Sequence, residues 1–314
     1  VLIADAGFDG MVVQIAIKGS GFRVQGSGSG LSEISIGAGE DWDEFVAWCV
    51  ENDLAGVECL SGIPGTVGGT PVQNVGAYGQ EVSETIKSVR CLDRRTGEFV
   101  VLPNADCGFS YRRSIFNTTE RDRYIVTAVT FALMKDGEPK IAYPELEKAM
   151  HSSIHARWAS ETLKGDQIVS ADPSWLFRSL DYVRYIILGL RAAKSMVIDK
   201  ADPNSRSAGS FFKNPIVERN VFDELKAQYP DLPSFPAGDA LVKIPAAWLI
   251  EHAGFNKGYT LGNAGISSNH TLALINCGGA TAVEVIALKD AVQAGVSARF
   301  GIDLFPEPLL IGFD

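Results

Sequence analysis

Apolar residues recur along this chain in two periods, and each period predicts its own kind of element. Trp42, Phe45, Val46, Cys49 and Val50 fall at helical spacing, with Gly56 placed where that helix stops. Val285, Leu288, Val292 and Val296 form one apolar face behind Thr281 and Glu284, a pair spaced as a capping box. Val221–Tyr229 predicts another helix, as does the stretch that opens on Pro245 and stops at Gly254. Residues 143–195 read as helical, with Leu146 and Met150 in one segment and Ile186, Leu190 and Ala193 in a second; the intervening 151–180 has weak periodicity. The Val- and Ile-rich Met11–Lys18, together with Glu33–Gly37, Tyr124–Met134 and Ala273–Asn276, predicts extended chain. Lys87–Asp93 and Glu98–Leu102 flank Arg94-Arg95-Thr96-Gly97 as a hairpin, and Gly301–Gly312 reads as extended. Strands and helices mix without regular βαβ alternation, which predicts an α+β architecture. A second unit begins near Arg191, and there is neither an internal repeat nor a low-complexity linker.

Composition narrows the class. The chain has 314 residues, 46% of them hydrophobic and 21% charged, enough for more than one domain with a sizeable core. Its formal net charge of −10 argues against a broad nucleic-acid surface while leaving room for a local phosphate site. Five widely spaced cysteines (Cys49, Cys59, Cys91, Cys107, Cys277) form no CxxC pair or Cys/His metal spacing, so reduced thiols, no metal and a cytoplasmic location are expected. No apolar run approaches the roughly 20 residues a membrane span needs, and no signal peptide is apparent.

Four stretches hold candidate chemistry. Ser207-Ala208-Gly209-Ser210-Phe211-Phe212-Lys213-Asn214-Pro215 packs a turn, a hydroxyl, a cation and an amide together, which suits an anionic polar ligand beside a proton donor or, alternatively, an ordinary strand end. The run from Gly62-Ile63-Pro64-Gly65 through Gly68, Gly69, Asn74 and Gly76 to Ala77-Tyr78-Gly79 lets backbone crowd against a planar ring or a pyrophosphate, unless it is only a series of tight turns. Gly26-Ser27-Gly28-Ser29-Gly30 lacks the full dinucleotide spacing and reads as a loop. Tyr111-Arg112-Arg113 lies between aromatics; Arg112 has the fork that grips a carboxylate, although Arg113 or a plain surface arginine remains an alternative. Glu307, between Pro306 and Pro308, is either held in a fixed direction or a solvated loop carboxylate.

In order and wording these motifs closely resemble the UDP-N-acetylenolpyruvoylglucosamine reductase (UDP-N-acetylmuramate dehydrogenase) family: GIPGTVGGTPVQNVGAYG (62–79), SYRRSIF (110–116), LRAAK (190–194), SAGSFFKNP (207–215), IPAAWLIEHAGFNKG (244–258), SSNHTLALIN (267–276) and FPEPLLIG (305–312). The resemblance implies a two-part FAD-binding region of the vanillyl-alcohol-oxidase/p-cresol-methylhydroxylase type over residues 1–190, an α+β substrate-binding domain over 191–301, and a C-terminal segment, 302–314, returning to the active site. It implies FAD reloaded by NADPH, a UDP-sugar enolpyruvyl ether as substrate, a role in peptidoglycan precursor synthesis, no nucleic-acid or membrane partner, and a monomer. Ser210 would donate the proton, Arg112 would hold the substrate carboxylate, and Glu307 would assist. Gly62, Ile63, Pro64, Gly65, Gly68, Gly69, Asn74, Gly76, Ala77, Tyr78 and Gly79 would contact the cofactor. Tyr111, Lys194, Lys213, Asn214 and His270 would contact the substrate or NADPH, His270 being equally readable as a hydrogen-bonded structural histidine. The family's LGxGSN phosphate loop would lie just before Val1, so this stretch of the cradle is expected to be missing. Two other readings follow from that: a non-catalytic UDP-sugar-binding relative, or another FAD-dependent oxidoreductase on the same framework.

Overall fold

The computed structural model describes residues 1–19, 25–26, 30–152 and 173–313. The chain divides into two units, one made of Val1–Val12 with Ala193–Asp314 and the other of Val13–Ala192. The first unit opens with a short strand, β1 (Leu2–Ile3).

In the Val13–Ala192 unit, a six-stranded antiparallel sheet carries the core. Its order is β2 (Gln25–Gly26), β3 (Leu31–Gly37), β9 (Tyr124–Lys135), β7 (Ile86–Asp93) and β8 (Phe99–Pro103), with β4 (Leu54–Ala55) also paired to β9. The long strand β9 alternates buried Val129, Phe131 and Leu133 with less buried neighbours, as a strand with one face on a core must. Helix α1 (Trp42–Glu51) covers that face with Trp42, Phe45, Val46 and Cys49, whose spacing marked it in the sequence. Asp41 caps it by accepting the amide of Glu44 at 3.0 Å. The helix ends one turn earlier than Gly56 suggests: Asn52 is its cap and Asp53 takes the left-handed conformation at φ 51°. The hairpin across Arg94–Gly97 forms, with Leu92 opposite Phe99. A separate apolar cluster joins α2 (Pro144–Met150) and α3 (Leu180–Ala193) through Leu146, Met150, Val183, Ile186 and Ile187. A small hairpin pairs β5 (Gly76–Ala77) with β6 (Gln80–Glu81).

Met11–Lys18, expected as a strand, has no sheet partner among the described residues; Met11 and Val12 are 86% and 82% exposed, and apolar composition without a facing strand leaves the ladder unmade. The central residues of Gly26–Gly30 and of the 151–180 stretch lie outside the described residues.

The other unit builds its core on a four-stranded antiparallel sheet ordered β10 (Ser207–Ser210), β16 (Ala273–Asn276), β15 (Ala264–Ile266) and β14 (Thr260–Leu261). A three-stranded sheet sets β13 (Leu241–Lys243) between β11 (Ile216–Glu218) and β12 (Phe235–Pro236). Helices α4 (Arg219–Gln228), α5 (Ala246–His252) and α6 (Ala282–Phe300) contribute to the same core, where Phe211, Phe212, Leu249, Leu288 and Val292 are buried. The capping box at Thr281 and Glu284 is formed, and the predicted Val285–Val296 face is the buried one. Pro245 is the cap of α5 rather than its first residue, and Gly254 follows its end at φ 98°. Only Leu310–Ile311 of the expected C-terminal extension forms a strand, β17, parallel to β1.

Candidate active site

The glycine-rich segment of the Val13–Ala192 unit is held from below by charge and by close backbone contact. Asp43, in the first turn of α1, accepts the Gly62 amide at 2.6 Å and grips the Arg184 guanidinium of α3 at 2.6 and 2.9 Å. Burial tends to raise the Asp43 carboxyl, but Arg184 and the Gly62 amide outweigh it and hold the group below its ordinary value. Just upstream, Glu58 is 1% exposed; its carboxylate accepts the amides of Gly56 and Lys140 and the Gln80 side-chain amide at 2.7, 2.9 and 3.1 Å. The chain then runs across α1 and the end of β3: Trp42 donates to Gly65 carbonyl at 3.1 Å, Val67 to Glu40 at 2.9 Å and Gly68 to Ala38 at 2.9 Å. Gly68 is obligatory there, since a Cβ would lie 2.6 Å from that of Ala38. Gly65 and Gly69 differ: an added Cβ at either would meet no atom of the described residues within 4 Å. Ile63, Val72, Val75 and Ala77 pack on the core while Pro64, Gly65 and Gly69 are exposed.

Asn74 ties this segment to the Tyr111–Arg112 loop. Fully buried at φ 48°, it donates to Glu81 at 2.8 Å and to the Ser110 carbonyl at 3.2 Å, and accepts the Ser83 amide at 3.1 Å. Tyr78 and Gly79, both at positive φ, form the two-residue turn between β5 and β6. The Tyr78 ring meets Tyr143 edge-on at 5.6 Å, and burial pushes its phenol well above the ordinary range. Ser110 and Arg113 exchange backbone bonds of 3.0 Å each, leaving Tyr111 and Arg112 at the tip. Arg112 adopts φ 55°, donates from Nη2 to the Gly76 carbonyl at 2.8 Å and lies 5.3 Å from the Tyr111 ring. Arg113 is exposed, so of the two guanidiniums it is Arg112 that the fold turns toward the glycine segment.

In the other unit, Ser210 ends β10 after Gly209, whose φ of 80° bends the chain. Its pairing with Ala273 of β16 follows a register irregularity, and the next two residues, Phe211 and Phe212, are each 1% exposed and fix the strand end in the core. The C-terminal segment pairs directly with this strand: Glu307 donates its amide to the Phe211 carbonyl at 2.8 Å, Lys213 donates to Phe305 at 3.0 Å, and Phe212 bridges Pro306. Ser210 and Glu307, almost a hundred residues apart in sequence, are thereby brought to neighbouring positions. His270 lies there too, its Nε2 3.4 Å from Ser210 Oγ. Lys213 is half-buried, and Lys194 is half-buried in the turn after α3. Asn214 has a structural task, accepting the Ala246 amide at 2.9 Å where α5 begins.

The supporting residues Asp43, Arg184 and Glu58 carry no local signal in the sequence, because each acts through a bond to a distant segment. Burial keeps four of the cysteines inert; it pushes the thiols of Cys91 and Cys107 up to about 12 and about 11.

The two units also match known proteins. A model of the FAD binding domain family matches residues 2–103, and one of the UDP-N-acetylenolpyruvoylglucosamine reductase C-terminal domain matches residues 202–311. A UDP-N-acetylenolpyruvoylglucosamine reductase of Thermobifida fusca is 44% identical over 320 residues, spanning 99% of this chain and 83% of the relative. One of Streptomyces coelicolor is 46% identical over 319 residues, spanning 99% and 76%. The crystal structure of the Thermus caldophilus UDP-N-acetylenolpyruvylglucosamine reductase aligns with a TM-score of 0.54 at 23% identity, over 88% of this chain and 72% of that one, which extends the likeness to the fold. The α+β class expected from the sequence, an FAD-binding region followed by a reductase C-terminal domain, is therefore met, and the chain is an FAD-dependent oxidoreductase. It belongs to the UDP-N-acetylenolpyruvoylglucosamine reductase family.

Proposed function

We propose that this chain reduces the enolpyruvyl ether of UDP-N-acetylenolpyruvoylglucosamine to UDP-N-acetylmuramate, a step of peptidoglycan precursor synthesis, with NADPH as the reductant and FAD as the carrier, in the cytoplasm and as a monomer. Family membership supports the substrate and the cofactor. Residues 1–190 are assigned to the flavin, 191–301 to the UDP-sugar, and 302–314 to completing the site.

The residues present fit a flat cofactor. The open space above Gly65 and Gly69 is what a planar ring or pyrophosphate resting on bare backbone requires, and Gly62, Ile63, Pro64, Gly68, Asn74, Gly76, Ala77, Tyr78 and Gly79 are assigned to the same cofactor-binding segment. When bound, FAD reloaded by NADPH would supply the hydride that the vinyl carbon of the substrate accepts. Negative charge then develops on the adjacent carbon and its carboxylate, and the protein's task is to neutralise it. Arg112 is assigned to the carboxylate, because a guanidinium grips both oxygens at once. Ser210 is assigned to deliver the proton to the carbon, and Glu307 to orient and polarise the same centre. Tyr111, Lys194, Lys213 and Asn214 are assigned to the sugar diphosphate or NADPH.

The observation that supports this reading is the backbone bond from Glu307 to the Phe211 carbonyl, which brings the C-terminal segment alongside the residue that follows Ser210. Anaerobic half-reactions test it. Ser210→Ala should be reduced by NADPH at the wild-type rate, yet its reduced flavin should be reoxidised by the enolpyruvyl substrate on the order of 10²–10⁴-fold more slowly. Equal loss in both half-reactions, or loss in neither, refutes the role given to Ser210.

A further inference from the structure

A serine hydroxyl that yields its proton to carbon is left as a strongly basic alkoxide, so the transfer needs a second proton close behind it. One ring stands in that place. His270 Nε2 lies 3.4 Å from Ser210 Oγ, at the long end of a hydrogen bond and in the range typical of catalytic contacts before substrate arrives. We propose that His270 is the proton reservoir for Ser210, a positioning residue that acts through the serine; this rests on the reading of Ser210 as the acid.

The loop that carries the ring is braced on both sides of it. Asn269 donates to Ser195 Oγ at 2.9 Å, while on the other side the hydroxyl of buried Thr271 bonds the Glu251 carboxylate of α5. Asn204 Oδ1 accepts from Ser267 Oγ, the Ser268 amide and Ser268 Oγ at 3.1, 3.0 and 3.2 Å. His270 itself accepts the Ala273 amide at 3.0 Å through its carbonyl. Connecting loops are ordinarily mobile, and this one is tied to three other segments within its unit. Such bracing restrains the backbone that carries the imidazole, which a repeated proton transfer to the serine requires.

The step balances. With the ring as imidazolium, the Ser210 O–H bond breaks as a C–H bond forms on the carbon bearing the substrate carboxylate. The Nε2–H bond breaks as the serine O–H is restored, its electron pair stays on the ring, and neutral His270 regains its proton from solvent. Together with the hydride from NADPH-reduced flavin, one hydride and one proton have been added. The charged groups on the segments around the ring are Glu251 behind Thr271, Asp202 bonded to Ser195, Lys194 beside Ser195, and Glu307 on the segment paired with Phe211. Proton delivery through His270 should therefore slow as pH rises and the imidazolium is lost.

The test uses the flavin-loaded protein with His270→Ala and His270→Gln, the second covering a failure of the first to fold. Reduction by NADPH should be slowed far less than reoxidation by substrate. Reoxidation by substrate should slow on the order of 10²-fold, lose its decline with rising pH, and recover in His270→Ala on adding imidazole. A second readout needs no turnover: the chain has four histidines, so His270→Gln identifies the His270 ring signal by nitrogen NMR, and Ser210→Ala should shift its Nε2 resonance. Reoxidation at the wild-type rate, slowing of both half-reactions without imidazole rescue, or an unmoved Nε2 resonance each overturns the proposal. If Ser210→Ala reoxidises normally, the reading of Ser210 has failed; if it is slow while His270→Ala is not, only the reservoir has.

Discussion

Arg112 is a non-glycine residue in the left-handed region, a conformation that costs on the order of 1 kcal/mol and that the surrounding loop must impose. The imposing contacts are local: the Ser110–Arg113 backbone pair, and the Asn117 side chain donating to the Arg112 carbonyl at 3.2 Å. The guanidinium itself is steered by the Gly76 carbonyl. Arg112→Lys keeps the charge and the backbone constraint but loses the planar fork. It should lower kcat/KM by on the order of 10²-fold while shifting the urea midpoint by no more than about 1 kcal/mol of stability. A large loss of stability instead would show that the arginine is chiefly a structural strut. In the sequence, Arg112 is preferred to Arg113 only because it directly follows Tyr111; in the fold, Arg113 is exposed and Arg112 is anchored on the Gly76 carbonyl. Asn214 carries a duty that no local pattern signals: its side-chain oxygen accepts the Ala246 amide at the start of α5.

At the scale of elements, the glycine-rich segment shows that two adjacent glycines exist for different reasons. Gly68 makes room for Ala38, whereas Gly69 faces open space. Gly69→Ala should therefore leave the unfolding midpoint of the flavin-free protein unchanged or slightly raised, since alanine restricts the unfolded chain. Its FAD dissociation constant should rise about tenfold, the equivalent of about 1.4 kcal/mol, when followed by flavin fluorescence. An unaltered affinity would remove Gly69 from the cofactor surface. Amphipathic helices and alternating strands were readable because their period is written in consecutive residues: α1, α6 and β9 stand where the pattern put them. Met11–Lys18 was not, because a strand exists only where a partner supplies the other half of its ladder, and apolar side chains do not specify one.

Across the whole molecule, acid stability depends in part on pairs of distant residues. Asp43 and Arg184 are separated by 141 positions, yet they pin α1, α3 and the Gly62 turn together. Because the folded state holds the Asp43 carboxyl below its unfolded value of about 3.9, its contribution is complete above that pH and disappears as pH falls through the lower folded value. Asp43→Asn should thus lower the melting temperature at neutral pH, and its melting curve should decline less than that of the wild type on acidification below about pH 4. Parallel declines would mean that the pair contributes nothing to the pH dependence.

By itself the sequence determined the α+β class, the principal helices and strands, and, through its long uncommon motifs, the family. Those properties follow from local period and from residue order, both of which survive in a linear string. Tertiary structure decided which arginine is anchored, which glycine faces open space, and that Glu307 and His270 accompany Ser210 at the end of β10. The physical reason is that such roles depend on hydrogen bonds and close packing between remote segments, whose geometry exists only once the chain has closed upon itself.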